Sequence, residues 1–129
     1  MPLTTNQLGA KVVVHTPYPP SVNAIWRHVG KRVYRTPKYM TWLATAGQEW
    51  LVQRAKLKVK AIQGPFRATI ILVPPDKRVR DIDNPIKCLL DLAKSLRITD
   101  DDSLCQKVSA EWGTAAQAPM GCCLILESV

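Results

Sequence analysis

Hydrophobic and polar residues along the chain define four segments whose length and composition are typical of β-strands. These segments are residues 12–16, 66–73, 104–112 and 122–127. Pro17 and Pro74 follow the first two segments and end them, because proline cannot donate a backbone hydrogen bond to a neighbouring strand. A turn around Pro119 and Gly121 is predicted to join the last two strands.

Two other segments carry hydrophobic residues at helical spacing. The first is Tyr39–Leu57, with Thr36 and Pro37 as its start signal. Its apolar positions are Leu43, Ala46, Trp50 and Leu57. The second helix is predicted to begin with Asp83 as the N-cap and Pro85 in the first turn. Its apolar stripe consists of Ile86, Leu89, Leu90, Ala93 and Leu96.

The order of these elements predicts an α+β fold with two layers, in which a mixed β-sheet carries two main helices packed on one face. The segment Arg27–Lys38 adds a basic loop or hairpin around Gly30. The chain has 129 residues, of which 47% are hydrophobic and 22% charged. These values favour a single globular domain over residues 1–129 and argue against disorder or a fibrous repeat.

The sequence contains neither an apolar run long enough for a membrane helix nor a signal-peptide pattern at its start, so we expect a cytoplasmic protein without a membrane partner. Its four cysteines include no Cys-x-x-Cys pair, and only His15 and His28 could complete a zinc site. Buried free thiols in a reducing compartment are the better interpretation. The cysteines are Cys88, Cys105, Cys122 and Cys123.

Charge is distributed unevenly along the chain. Its 18 Lys and Arg residues exceed its 10 Asp and Glu residues, which gives a net charge of +8. Nine bases and the single acid Glu49 lie between Arg27 and Lys60, whereas seven of the ten acids lie between Asp76 and Asp102. A basic protein with one acidic locality fits a polyanionic partner and, at the acidic residues, a bound cation.

Asp81 and Asp83 stand two residues apart before the second helix, so in an extended chain both side chains would point the same way. A hard cation with oxygen ligands, Mg²⁺ or Mn²⁺, would offset their repulsion. Lys87 lies four residues after Asp83 and four before Asp91, and could stabilise charge on a phosphate. One or two carboxylates of the Asp100-Asp101-Asp102 run could return to this pair.

Purely structural roles remain open for each of these residues. Asp83 could be only a helix cap, Asp81 a solvated turn residue, and Lys87 an ordinary ion-pair partner. The basic segment could likewise be a solvated surface. However, its bases alternate with Trp26, Tyr34 and Tyr39, which favours nucleic-acid binding. The candidate DNA contacts are Arg27, Lys31, Arg32, Arg35 and Lys38. Trp42 and Trp50 are predicted to lie in the core.

Three motifs in this order resemble the RusA-type Holliday junction resolvases of bacteria and their prophages. They are Pro19-Pro20-Ser21-x-Asn23, Asp81-x-Asp83-Asn84-x-x-Lys87 followed by Asp91, and Asp101-Asp102-Ser103. The resemblance spans roughly Pro17 to Val108, and the joined acidic motifs are far more specific than any single one. The additional Asp100 departs from the family pattern and leaves the register of the later aspartates open.

The resemblance implies a homodimeric, Mg²⁺-dependent endonuclease of bacterial, phage or prophage origin that makes paired, symmetric nicks in four-way junction DNA. Mn²⁺ would substitute, and no small-molecule cofactor is expected. Asp81, Asp83 and Asp102 would bind the metal, Lys87 would be the accompanying catalytic lysine, and Asp101 and Asp91 would be auxiliary. The alternatives are a junction-binding accessory protein without cleavage activity and a nuclease of broader branched-DNA or single-strand specificity.

Overall fold

The computed structural model describes residues 10–56 and 59–129, and the elements below belong to these residues. The strands are β1 (Lys11–Pro17), β2 (Trp26–Val29), β3 (Arg32–Arg35), β4 (Phe66–Leu72), β5 (Cys105–Trp112) and β6 (Gly121–Ser128). The α-helices are α1 (Pro37–Ala55) and α2 (Ile86–Ser95). Short 3₁₀ helices occupy Val22–Ala24 and Asp102–Leu104.

The main sheet has the strand order β1-β6-β4-β5, in which β6 is antiparallel to both its neighbours and β4 is parallel to β5. Alternate residues of β4 are buried, from Phe66 to Leu72, and they share one core with the apolar faces of α1 and α2. The predicted α+β fold with a mixed sheet is therefore confirmed. Trp42 and Trp50 lie in this core, as predicted.

The last two strands are confirmed, but they do not pair with each other, because β4 pairs with β5 on one side and with β6 on the other. Residues 113–120 cross the end of β4, and the predicted turn lies at the end of this connection, where Gly121 N–H donates to Ala118 O at 3.0 Å. Gly113 N–H donates to Leu72 O at 2.9 Å as the crossing begins, and Val73 N–H donates to Gly121 O at 2.8 Å as it ends.

Helix α1 begins as predicted, since the Thr36 side chain caps it by accepting a hydrogen bond from Tyr39 N–H at 3.2 Å. It ends at Ala55, and the predicted end at Leu57 lies outside the described residues. The predicted cap of α2 is wrong. Residues 82–85 form a turn that brings only the backbone carbonyl of Asp83 to Ile86 N–H, at 3.2 Å, and Pro85 takes the cap position without a side-chain hydrogen bond.

Residues 26–35 form the hairpin alternative of the sequence prediction, in which β2 pairs with β3 as a separate two-stranded sheet. Gly30 is the first of the two turn residues of this hairpin and has a φ of 60°. A type II′ turn requires a positive φ at that position. Every residue of the two strands is exposed. The basic segment is thus presented on a projecting hairpin that enters α1 directly.

The four cysteines are free thiols, of which Cys88, Cys122 and Cys123 are buried, in accordance with the sequence interpretation, and Cys105 is half-buried. Burial raises the pKa of the Cys88 thiol to about 11 and that of Cys122 to about 12. These two thiols are therefore protonated at neutral pH. In the described part of the chain, no helix is long and apolar enough to cross a membrane.

At His15, the outer edge of β1 is covered by a side chain of α1. His15 N–H donates to Gln53 Oε1 at 2.8 Å, and Gln53 Nε2 donates to His15 O at 2.7 Å. The primary amide of Gln53 therefore satisfies both backbone groups of His15 in the way that a neighbouring strand would. It also joins α1 directly to the sheet.

Replacing Gln53 with alanine should destabilise the protein by about 1 to 2 kcal/mol, because both polar groups of His15 lose their partner. Urea unfolding followed by circular dichroism measures the change. Gln48→Ala is the matched control, since Gln48 is an exposed residue of the same helix. Its effect should stay within about 0.5 kcal/mol. Equal midpoints for the Gln53 variant and the wild type would contradict a structural role for this contact.

Candidate active site

The proline-rich segment and the acidic motif lie against each other. Asn84 Oδ1 accepts a hydrogen bond from Val22 N–H at 3.0 Å, and Cys88 Sγ donates to Pro20 O at 3.6 Å. Ser21 caps the short helix at Val22–Ala24 by accepting from Asn23 N–H. Asn84 therefore anchors the loop that carries Asp81 and Asp83, a role that its position beside the aspartates did not reveal.

Asp81 and Asp83 occupy the loop and turn immediately before α2, so the extended backbone assumed for them is replaced by a turn. Both residues are exposed. Within residues 10–56 and 59–129, neither carboxylate makes a hydrogen bond or an ion pair. Their oxygen atoms are thus available to an external ligand.

Lys87 joins the acidic residues of α2 to those that precede β5. Its Nζ lies 2.9 Å from Asp91 Oδ1 and 2.5 Å from Asp102 Oδ2. The first contact is the i, i+4 pair that the helix predicts, whereas the second spans 15 residues of sequence. Lys87 is 53% exposed at its side chain, so solvent and ligands can reach the ammonium group while it holds both carboxylates.

The three consecutive aspartates have different partners. Asp100 Oδ2 accepts from Gly64 N–H at 3.1 Å, away from Lys87. Asp101 caps the 3₁₀ helix at Asp102–Leu104 through Ser103 N–H and the Ser103 hydroxyl, and it pairs with Lys94 Nζ at 2.6 Å. Only Asp102 contacts Lys87. The three consecutive aspartates therefore have three separate structural roles.

The lysines keep the two later carboxylates ionised. The hydrogen bond from Lys87 lowers the pKa of Asp102, and that from Lys94 lowers the pKa of Asp101. In return, Asp102 and then Asp91 raise the pKa of Lys87 above its usual value. At neutral pH, Asp102 is therefore a carboxylate, which is the form that binds cations.

Tyr39 connects the basic hairpin to Lys87. Its hydroxyl lies 3.4 Å from Asp91 Oδ2, and the Arg35 guanidinium lies 5.4 Å from the centres of both the Tyr39 and Trp26 rings. Tyr39 is fully buried, so of the three aromatic residues that alternate with the basic residues it is the one that cannot offer its ring face to nucleic acid. Trp26 and Tyr34 are about half exposed, at 51% and 46%.

A basic groove of about 720 Å³ lies between the proline-rich segment, the start of α1 and the crossing loop. Its cationic residues are Lys38, Arg78 and Arg80. A smaller cavity of about 210 Å³ shares Tyr18 and Arg80 with it and is lined by Asp81 and Asn84. The groove therefore adjoins the cavity at Asp81.

Arg80 is fixed at this junction of groove and cavity. It lies 5.3 Å from the centre of the Tyr18 ring, and its Nη2 pairs with Asp76 Oδ2 at 2.9 Å. Arg78 pairs with the same Asp76 oxygen at 2.9 Å. Neither Arg78 nor Arg80 was identified as a site residue from the sequence, although both lie within four residues of Asp81.

The donor chemistry fits a hard divalent cation, because Asp81 and Asp83 offer exposed oxygen atoms and Asp102 is ionised. Among residues 10–56 and 59–129, however, no three carboxylate, imidazole or thiol side chains form a ready-made cluster for a metal ion. Lys87 occupies the Asp102 oxygen instead. The residue types therefore fit a divalent cation. In this structure, however, the Asp102 carboxylate pairs with Lys87.

Comparison with known proteins gives this arrangement a family. A protein-family model described as endodeoxyribonuclease RusA matches residues 17–119. The chain belongs to the RusA endodeoxyribonuclease family. The match contains the proline-rich segment, the acidic motif before α2 and the Asp101-Asp102-Ser103 motif.

Two curated proteins are similar to this RusA-family chain. The crossover junction endodeoxyribonuclease rusA of Enterobacteria phage HK97 is 34% identical over 86 residues, which cover 67% of this chain and 69% of that protein. The crossover junction endodeoxyribonuclease RusA of Aquifex aeolicus (strain VF5) is 33% identical over 85 residues, which cover 66% of this chain and 65% of that protein.

Lys87 and Lys94 should control different carboxylates. Lys87→Met should raise the pKa of Asp102 towards its usual value, because the main hydrogen bond that lowers it is lost. Lys94→Met should instead raise the pKa of Asp101. Carboxyl ¹³C chemical shifts followed by NMR through acid pH measure both.

The sign for stability follows from the lowered pKa of each folded carboxylate. The stability that each ion pair contributes is fully present above the unfolded pKa of aspartate, about 3.9. It is lost as the pH falls from there through the lower pKa of the folded carboxylate. Each variant should thus lose less stability than the wild type on acidification. Equal Asp102 titrations in the wild type and the Lys87 variant would contradict the geometry described.

Proposed function

We propose that this protein is a structure-selective DNA endonuclease that resolves Holliday junctions by paired, symmetric nicks through metal-dependent phosphodiester hydrolysis, in DNA recombination and repair. The observation that carries the proposal is the contact of Lys87 with Asp102, beside a loop that presents Asp81 and Asp83. Membership of the RusA endodeoxyribonuclease family and the names of the two relatives support it.

The metal would be Mg²⁺, with Mn²⁺ as a substitute, held by Asp81, Asp83 and Asp102. When bound, it would neutralise phosphate charge and activate a water for attack on the phosphorus. Lys87 would donate hydrogen bonds from Nζ to a phosphate oxygen and stabilise the charge that develops there. Asp91 would act as a positioning residue, since its Oδ1 holds Lys87 Nζ at 2.9 Å. Asp101 would position the Asp102 turn.

DNA would contact the basic hairpin and the start of α1. The five basic residues proposed for this role are all exposed. They are Arg27, Lys31, Arg32, Arg35 and Lys38. Lys38 also lines the basic groove that adjoins the cavity at Asp81. Exposed Trp26 and Tyr34 supply aromatic faces beside these bases for unpaired nucleotides.

The partners would be four-way junction DNA and a second copy of the chain. A junction has two equivalent strands to cut, so a two-fold symmetric dimer can address both. The relatives come from a phage and a bacterium, which supports action in the cytoplasm of a bacterium. The protein would be encoded by the host, a phage or a prophage.

Asp83→Asn should retain junction binding and lose cleavage. The side chain stays the same size, but the oxygen charge that attracts the cation is removed. The rate of nicking should fall by more than about 100-fold, because even outer partners of metal ligands contribute about 10- to 100-fold. The measurement is cleavage of a labelled mobile four-way junction with Mg²⁺, with binding measured in parallel in EDTA.

Removal of the metal with EDTA should abolish nicking by the wild type, and Mg²⁺ or Mn²⁺ should restore it. Normal nicking by the Asp83 variant would refute its proposed role. Tight binding without nicks from either protein would instead favour the junction-binding accessory protein. Competition between the junction and linear duplex of equal length separates a resolvase from a nuclease of broader specificity.

Neutralising Arg32 and Arg35 together should weaken DNA binding whatever the sequence. If binding neutralises about six phosphates, the slope of log affinity against log salt concentration should be about −5 for the wild type. Loss of two contacts should reduce it to about −3.5. Fluorescence anisotropy with junction DNA at several salt concentrations measures both slopes.

The control removes two charges at the other end of α1. Arg54→Gln with Lys56→Gln leaves the hairpin intact, since both positions lie at the C-terminal end of the helix. Its salt slope should remain that of the wild type. Equal effects of the two double variants would mean that net charge alone, without a defined surface, governs binding.

A further inference from the structure

The outer edge of β5 has no neighbouring strand in the part of the chain that the structure describes. The strand has eight residues, contains no proline, and leaves Val108 and Trp112 38% and 42% exposed. A long exposed edge of this kind is a template for pairing with another chain. The opposite edge of the sheet differs, because Gln53 occupies it at His15.

The hydrogen-bonding direction along β5 can be deduced from its contact with β4. Gly113 N–H donates to Leu72 O, so Gly113 directs its backbone towards β4. Backbone groups alternate in direction along a strand, which means that Val108, Ala110 and Trp112 direct theirs to the open edge. These residues could therefore form the hydrogen-bonded positions of a new strand pair.

The two charged residues of β5 have opposite signs and lie at equal distances from Ser109. Lys107 lies two residues before Ser109, and Glu111 lies two residues after it. Both residues are exposed. If two copies of the strand pair antiparallel with Ser109 opposite Ser109, each Lys107 faces the Glu111 of the other copy. Parallel pairing in register would instead place lysine against lysine and glutamate against glutamate.

The same register satisfies the backbone. With Ser109 at the centre, Val108 stands opposite Ala110 of the other copy, and both have their backbone groups on the open edge. The pairs Ser109–Ser109 and Lys107–Glu111 are then non-hydrogen-bonded pairs, in which opposing side chains come closest. Charge, apolar contact and hydrogen-bonding direction therefore agree on one arrangement.

We propose that the open edge of β5 is the dimerisation surface, and that its occupant is the β5 strand of a second copy, antiparallel and centred on Ser109. The proposal rests on the homodimer proposed above and names the surface that forms it. The two four-stranded sheets become one continuous sheet of eight strands. The two-fold axis runs perpendicular to that sheet, so both copies keep their helices on the same face.

Disulfide trapping tests the register. In Ser109→Cys, the two introduced thiols should lie in a non-hydrogen-bonded pair with Cα atoms about 4.5 Å apart, within the range that a disulfide spans. In Lys107→Cys, the introduced thiols should be displaced by four residues, or about 13 Å. Mild oxidation of the full chain without DNA should therefore link the first variant rapidly and leave the second and the wild type unlinked on non-reducing gels.

Charge exchange tests the contact between Lys107 and Glu111. Lys107→Glu alone, or Glu111→Lys alone, should weaken the dimer by about 30-fold, because two attractive pairs per interface become repulsive. The double variant Lys107→Glu with Glu111→Lys should restore the wild-type dissociation constant. Analytical ultracentrifugation over a range of concentrations measures all four proteins, and circular dichroism checks that each is folded.

Each result either supports the proposal or overturns it. Selective linkage at position 109 and rescue by the double variant support it. A wild-type monomer at all concentrations, a dimer that does not link at position 109, equal linkage at position 107, or a double variant no tighter than the single ones overturns it. None of these readouts uses DNA or metal, so a dimer that fails to cut junctions would refute the proposed function and leave the surface standing.

Discussion

The ion pair between Lys87 and Asp102 is the contact on which the acidic site depends. It joins α2 to the turn before β5, two parts of the chain that 15 residues separate. Asp91, Asp101 and Asp102 would repel one another without the ammonium groups of Lys87 and Lys94 between them. The site is therefore an alternating arrangement of charges held on one side of α2, whose other side is buried in the core.

The strands and helices could be predicted because their patterns are local. Thr36 and Pro37 marked the start of α1, and the stripe from Ile86 marked α2. Strand pairing was not predictable in the same way, since β6 passes between β1 and β4 through contacts with residues distant in sequence. The prediction of the α2 cap was wrong for a related reason. Asp83 is a good capping residue, but the turn at residues 82–85 presents its carbonyl rather than its carboxylate.

The candidate site shows the same division. Residue types and spacing predicted the i, i+4 contact between Lys87 and Asp91, which is a property of one helix. They could not predict that Asn84 would bind Val22, or that buried Tyr39 would contact Asp91, because these pairs are 62 and 52 residues apart. The three successive aspartates illustrate the limit, because only folding gives Asp100, Asp101 and Asp102 three different partners.

The amide of Gln53 at the edge of β1 has a consequence for the number of copies that can assemble. A sheet with two open edges can add neighbours without end and grow into a fibre. Here the backbone groups of His15 are already occupied, so an added strand would first have to displace Gln53. In the part of the chain that the structure describes, the β1 edge is covered at His15 and the β5 edge has no neighbouring strand, so strand addition at the proposed dimer surface would stop after a single step.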